Sequence, residues 1–394
     1  MKKFLTALLA GVMTVGLAAC GTSGSTTAAA STAAAAAAST AAAAASSDMK
    51  IAMITDYGDI TDQSFNQTTY EASKAFAETN GLDFTYYKPA GDSTAERVAM
   101  IDKAVADGYN VIVMPGYAFA EAIVESAPNY PDVKFVALDV SEYDLTTAAG
   151  TDTYKQDNVY SAVYQEELAG FMAGYAAVKM GYKKLGFLGG MAVPAVVRYG
   201  FGFVQGADKA AAELNLTDVS INYIYGGVFK ADPDVTAVMD TWYQGGTEVV
   251  FACGGGIYAS AAEAAVKANG KIIGVDVDQA ATIDGAYGKG LTITSAMKGL
   301  AATVNTLLTA IKDGKWDEYK GQVQTLGLVS GDDPTQNYVQ LPMDSTVWND
   351  TFKQEDYKAL VADLYSGKIK VSNDTTAMPA VTNVTVDDQG AIKG

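Results

Sequence analysis

From Lys50 onward, short and nearly unbroken apolar runs alternate with stretches whose apolar residues recur at helical spacing, and this alternation confines the chain to a small set of folds. Residues 50–55 read as a strand and about 64–79 as a helix stopped at Gly81. Residues 83–88 read as a second strand, after which Ser93 and Glu96 form a capping box for a helix ending near Gly108. Residues 110–114 and 134–139 are buried-type strands separated by a helix through 120–126. A helix at about 162–180 opens a second series, with strands at 185–188, 219–225, 248–252 and 271–275 and helices at about 194–214 and 233–242. Residues 291–296 and a helix at about 299–312 read as a return to the first series, and 322–329 with the helix 354–366 completes the pattern.

Apolar strands alternating with helices predict parallel sheets covered on both faces. The body is too long for one core, so two doubly wound α/β lobes are expected, with a ligand cleft between facing strand ends. The expected division is 49–160 plus about 280–315 in the first lobe, 161–279 plus about 316–372 in the second, and 373–394 as a C-terminal tail.

The N-terminus carries an address. Lys2 and Lys3 precede an apolar run over 4–15 that is closed by Leu17, Ala18, Ala19 and Cys20, an arrangement resembling a bacterial lipobox. The run is shorter than the ~20 apolar residues needed to span a bilayer. Residues 1–19 are therefore expected to be a cleaved signal peptide and Cys20 the lipidated residue, which places the protein on the outer face of the bacterial cytoplasmic membrane. Residues 20–48 read as a linker, since 21–47 contain only Ala, Ser, Thr and Gly, and as flexible coil that stretch would span roughly 30 Å.

The chemistry of the chain is restricted. It contains no histidine, which removes histidine-dependent triads and the commonest zinc ligand. With Cys20 committed to lipid, Cys253 stands alone, so neither an internal disulfide nor a cysteine metal site is expected. No cofactor, no metal and no enzymatic activity are expected. The formal charge of −18, from 27 basic and 45 acidic side chains, disfavours nucleic acid and anionic lipid heads as partners.

Residues just beyond the carboxyl ends of strands are the best site candidates in this architecture. Asp56 follows the first strand, and the loop after it carries Phe65 and Asn66, with Asp62 or Ser64 as the N-cap of the coming helix. Asp139 ends the fourth strand, Phe229 follows the strand ending at Tyr225, and Gly255 lies in the triplet Gly254, Gly255, Gly256. Asp276 follows Val275, and Lys298 follows the strand ending at Ala296. Carboxylates accept paired hydrogen bonds from vicinal hydroxyls, aromatic faces stack on flat bases, and an amine and an amide address base heteroatoms. Paired acids also suit a glycosidase, although their separation is not legible in sequence.

Several of these residues lie in longer motifs. TDQSFNQ from Thr61, GGMAVPAVVRYGFGFVQGA from Gly189, GVDVDQ from Gly274 and SAMKG from Ser295, together with the lipobox, resemble the BMP (basic membrane protein) lipoprotein family. The likeness runs from Met49 to about Lys370 and includes Ser366, Gly367 and Ile369 of a terminal SGxI element. It implies a type I periplasmic-binding fold and a substrate-binding protein of an ABC importer, working as a monomer that takes a purine nucleoside and docks on permease subunits. It also implies that Asp56, Phe65 and Asn66 form the first-lobe ligand loop, that Asp276 binds the ribose, and that Asp139 and Lys298 line the site. Phe229 is the implied second stacking aromatic, with Tyr225 as the substitute. Thr61 stands where the family loop usually has its first acid, and Tyr199 where it often has Phe. Two other readings use the same cleft: a sugar- or signal-binding receptor of a membrane sensor, and a nucleoside-acting hydrolase.

Overall fold

The computed structural model describes residues 48–393. The expected signal peptide, the lipidation at Cys20 and, apart from Asp48, the linker lie outside the described residues. In chain order the elements are β1 (Lys50–Ile54), α1 (Phe65–Asn80), β2 (Asp83–Tyr87), α2 (Thr94–Ala106), β3 (Val111–Pro115), α3 (Ala120–Ser126), β4 (Lys134–Leu138), α4 (Glu142–Ala149) and β5 (Val159–Tyr164). There follow α5 (Glu166–Lys179), β6 (Lys184–Gly189), α6 (Pro194–Leu214), β7 (Val219–Tyr225), α7 (Pro233–Gln244), β8 (Val249–Cys253), α8 (Tyr258–Ala268), β9 (Lys271–Asp276), α9 (Ala280–Tyr287) and β10 (Thr292–Lys298). The last elements are α10 (Leu300–Lys312), β11 (Gln322–Leu326), β12 (Val339–Gln340), α11 (Gln354–Tyr365) and β13 (Val384–Ala391).

The strands form two sheets, ordered β11-β5-β4-β3-β1-β2 and β12-β10-β9-β8-β6-β7-β13. Every ladder within them is parallel except β10 with β12. Parallel strands need crossovers that leave helices on the faces, which is why β3 and β8 are buried along their whole length. Alternation along the first sheet is visible in its two cores. Ile51, Val111 and Val113 pack with Ala72 and Phe76 of α1, while Ala52, Ile54 and Ile112 pack with Ile101 of α2 and Ile123 of α3.

The structure corrects the expected partition. Residues 292–298 do not rejoin the first sheet: β10 runs parallel to β9 with Ala296 opposite Val275, so the strand belongs to the second sheet. Residues 322–326, expected in the second lobe, pair with β5 in the first sheet. The helix expected over 162–180 begins only at Glu166, because 159–164 form β5. The segment expected as a tail supplies β13, parallel to β7 at the sheet edge. The chain thus passes between the two halves after Tyr164, after Lys298 and between Leu326 and Val339.

Helices α5 and α6 meet backbone to backbone. A side chain at Gly170 or Gly174 would collide with the carbonyls of Tyr199 and Phe203, and one at Gly202 or Gly206 with those of Glu167 and Phe171. Four glycines at i and i+4 on the facing surfaces permit this approach.

Candidate functional site

A cavity of about 600 Å³ lies between the carboxyl ends of the two sheets, within the range usual for small-molecule sites. Asp56, Phe65, Asn66 and Asp139 from the first half and Phe229, Gly255, Asp276 and Lys298 from the second all lie on its wall. Tyr225, the substitute for Phe229, is not among the lining residues, and its hydroxyl lies 2.8 Å from that of Tyr223.

The fold sets these side chains by the same device twice. Asp139 follows β4 and Asp276 ends β9, which occupy corresponding places in their sheets, and both have left-handed backbone, φ 62° and φ 65°. Non-glycine residues seldom adopt this conformation, and it turns each carboxylate off the strand axis.

Lys298 Nζ sits between them, 2.6 Å from Asp139 Oδ2 and 3.6 Å from Asp276 Oδ1. It is also 3.5 Å from Glu166 Oε1, and Glu166 is itself held by Arg198 Nε at 2.7 Å. Burial alone would pull the lysine's pKa down, but Asp139, Asp276 and Glu166 outweigh it and the net direction is up, so the ammonium stays charged. The rings of Phe65, Tyr164 and Tyr199 surround it, with Nζ 4.5 Å from the Phe65 centroid.

Burial pushes the Asp139 carboxyl up to about 6, with Lys298 opposing and Glu166 adding to the rise. Burial likewise pushes Asp56 up to about 6, against the Gly58 amide that donates to its Oδ1 at 2.6 Å. Asn66 Oδ1, Asp139 Oδ1 and the Tyr199 hydroxyl are buried without a protein partner. All three belong to cavity-lining residues, which is where unsatisfied polar atoms mark places for a ligand's hydrogen bonds.

The loop before α1 divides the two capping candidates. Asp62 caps the helix, accepting from Ser64 N at 2.9 Å, Asn66 N at 2.9 Å and Gln67 N at 3.0 Å. Ser64 instead reaches the other half and donates to Asp276 Oδ2 at 2.6 Å. Gln279 Nε2, from the loop after β9, donates to Gln63 O at 3.0 Å alongside it. These bonds hold the halves together over the cavity.

Sequence reasoning missed Tyr57, whose ring stacks on Phe229 across the cleft at 6.1 Å between centroids and 22° between planes. Phe65 lies under Lys298 instead. It also missed Glu166 and Arg198. A signal for Glu166 was present, since adjacent acids open an apolar helix at Glu166 and Glu167, and buried acids are rare without partners.

Comparison with known proteins places these features in a family. The family model Bmp, described as ABC transporter substrate-binding protein PnrA-like, matches residues 49–372. The chain is 28% identical over 304 residues to the ABC transporter nucleoside-binding protein BmpA of Lactococcus lactis subsp. cremoris, across 72% of this chain and 80% of that relative. It is 26% identical over 295 residues to basic membrane protein B of Borreliella afzelii, across 72% of this chain and 80% of that one. Among solved structures, an ABC transporter solute-binding protein from Aeropyrum pernix K1 superposes with a TM-score of 0.62 at 21% identity, covering 83% of this chain and 88% of that one. One from Conexibacter woesei DSM 14684 gives 0.62 at 22% identity, covering 82% and 99%. At these identities the superpositions establish a shared fold, the two-sheet α/β architecture of periplasmic solute-binding proteins.

Proposed function

The chain belongs to the Bmp family of PnrA-like ABC transporter substrate-binding proteins, and from that premise we propose that it captures a purine nucleoside in the interlobe cavity and delivers it to membrane permease subunits. The observation that carries this reading is the meeting of Asp139, Asp276 and Lys298 at the carboxyl ends of both sheets, beside aromatic rings from both halves. In the proposed complex the base is stacked between Phe65 and Phe229, both of which lie on the cavity wall. Asp276 takes the vicinal ribose hydroxyls, whose paired donors match the two oxygens of a carboxylate. Asp56 and Asn66 address the edge of the base. The name of the Lactococcus relative supports a nucleoside as the ligand class.

Charge argues for a nucleoside over a nucleotide. Asp139, Glu166 and Asp276 carry three negative charges against the two positive charges of Lys298 and Arg198, so this array has a net charge of −1. A phosphate placed there would be repelled, while neutral hydroxyl donors are welcomed. Lipid on Cys20 would anchor the monomeric protein outside the cytoplasmic membrane, and no described helix is long and apolar enough to cross one. The binding reading has a direct test in calorimetric titration with guanosine, inosine and adenosine. One-to-one binding of at least one of them is the expected result, and the absence of heat with all three would remove the purine assignment.

A further inference from the structure

The family match stops at residue 372, yet the chain beyond it is fastened to the loop that carries Phe229. Strand β13 pairs with β7 from Val384 opposite Val219 to Asp388 opposite Tyr223, slips register, and resumes with Ala391 opposite Tyr225. Ile392 N then donates to Tyr225 O at 2.8 Å, extending the pairing to the last residue of β7. At the start of the loop the Lys393 backbone lies on Gly227, where a β-carbon would come 2.5 Å from Lys393 O and where φ is +76°. At the loop's far end, Lys393 Nζ lies 2.5 Å from Asp232 Oδ2 and 3.2 Å from Asp234 Oδ2. Asp232 is also the N-cap of α7, accepting from Asp234 N. Residues 226–232 are therefore gripped at both ends by the added segment. The other ties of the loop run to Gly189, Gly190, Gly256 and Ser260, of which Gly256 lies on the cavity wall.

We propose that residues 384–393 are a strap that positions Phe229, with Lys393 as its terminal pin. The proposal rests on the reading that Phe229 contacts the ligand, and it adds a determinant of affinity outside the family's common core. Without the added segment the loop keeps its ties to Gly189, Gly190, Gly256 and Ser260 but loses the grips at Gly227 and Asp232. That widens the placements open to Phe229, and each placement away from the cavity lowers the population competent to bind. The strap acts by restricting that sampling, so its loss should speed ligand release.

The test compares the full chain, a chain ending at Asn383, Lys393→Ala and Lys393→Arg. In ligand-free protein, amide hydrogen exchange over 226–232 is expected to be at least about tenfold faster in the shortened chain, faster to a lesser degree in Lys393→Ala, and unchanged in Lys393→Arg. Unchanged exchange in both the shortened chain and Lys393→Ala would overturn the proposal, and this arm needs no ligand. In titration with inosine, the shortened chain should bind several-fold more weakly through faster release, and the same truncation in a Phe229→Ala background should add nothing. Equal affinity despite faster exchange, or an undiminished effect in the Phe229→Ala background, would also overturn it. If the full chain binds no nucleoside, the nucleoside reading fails while the exchange arm still decides the strap. If the shortened chain does not fold, Lys393→Ala against Lys393→Arg decides both arms.

Discussion

Ser64 Oγ donates a 2.6 Å hydrogen bond to Asp276 Oδ2, joining residues 212 apart in sequence and the two halves of the fold. The acceptor is the carboxylate proposed to hold the sugar, so a single bond both orients that group and fastens the cleft. Hydrogen bonds to charged groups contribute about 1.5–3 kcal/mol. Ser64→Ala should accordingly weaken nucleoside binding about tenfold or more, mostly through faster release in stopped-flow measurements. Release at the original rate would show that the bond does not secure the closed form.

The pH dependence has a definite sign. Asp56 and Asp139 are both raised to about 6 in the folded protein from 3.8, chiefly by burial. The folded state therefore binds protons more tightly than the unfolded chain between about pH 4 and 6, and these groups weaken the fold as pH rises through that window. Glu167, raised to about 7 by burial and by Glu166, acts in the same direction. Acidification from pH 7 to 5.5 should raise the denaturation midpoint while lowering nucleoside affinity, because protonated Asp56 and Asp139 lose acceptor capacity. A falling midpoint combined with constant affinity would contradict both assignments.

Much of this was legible in the chain, because strand ends face the cleft in any doubly wound sheet and six of the eight candidates lie at or just beyond strand ends, while Phe65 and Asn66 open the helix after β1. The rest was hidden for identifiable reasons. Strand β5 runs through the single residue Gln165 into the apolar helix α5, so an apolar run shared by strand and helix showed no break. An isolated run such as 292–298 also does not announce its pairing partner, and it was assigned to the wrong sheet. Strand β13, rich in aspartate and exposed, resembled a solvated tail because edge strands tolerate charge. The Ser64–Asp276 bond and the Tyr57–Phe229 stack are long-range contacts with no local signature.

Lys298 is the counter-ion for three buried carboxylates. Lys298→Met should destabilise the protein by about 3 kcal/mol or more, since removing one partner of a buried ion pair leaves uncompensated charge. Adding Asp139→Asn should recover part of the loss in urea unfolding. Two additive losses would indicate that the groups act independently.

The α5–α6 contact tolerates no β-carbon. Gly202→Ala would press a methyl group onto the Glu167 carbonyl, and overpacking of this kind costs about 1–3 kcal/mol. Thermal unfolding of Gly202→Ala and of Gly181→Ala, where a β-carbon meets nothing within 4 Å but φ is +105°, separates helix crowding from backbone strain. Crowding predicts a loss in Gly202→Ala and the same response at Gly174 and Gly206, whose β-carbons would also meet facing carbonyls. An unperturbed Gly202→Ala melt would contradict the close helix contact.

The most direct measurement is a titration of the wild-type protein and of Asp276→Ala with inosine and with its free base, hypoxanthine. If Asp276 reads the ribose, wild type should prefer inosine by at least about tenfold, and the variant should lose most of that preference while still binding the base. Equal affinity of wild type for the two ligands, or a preference that survives in Asp276→Ala, would contradict the role given to this carboxylate.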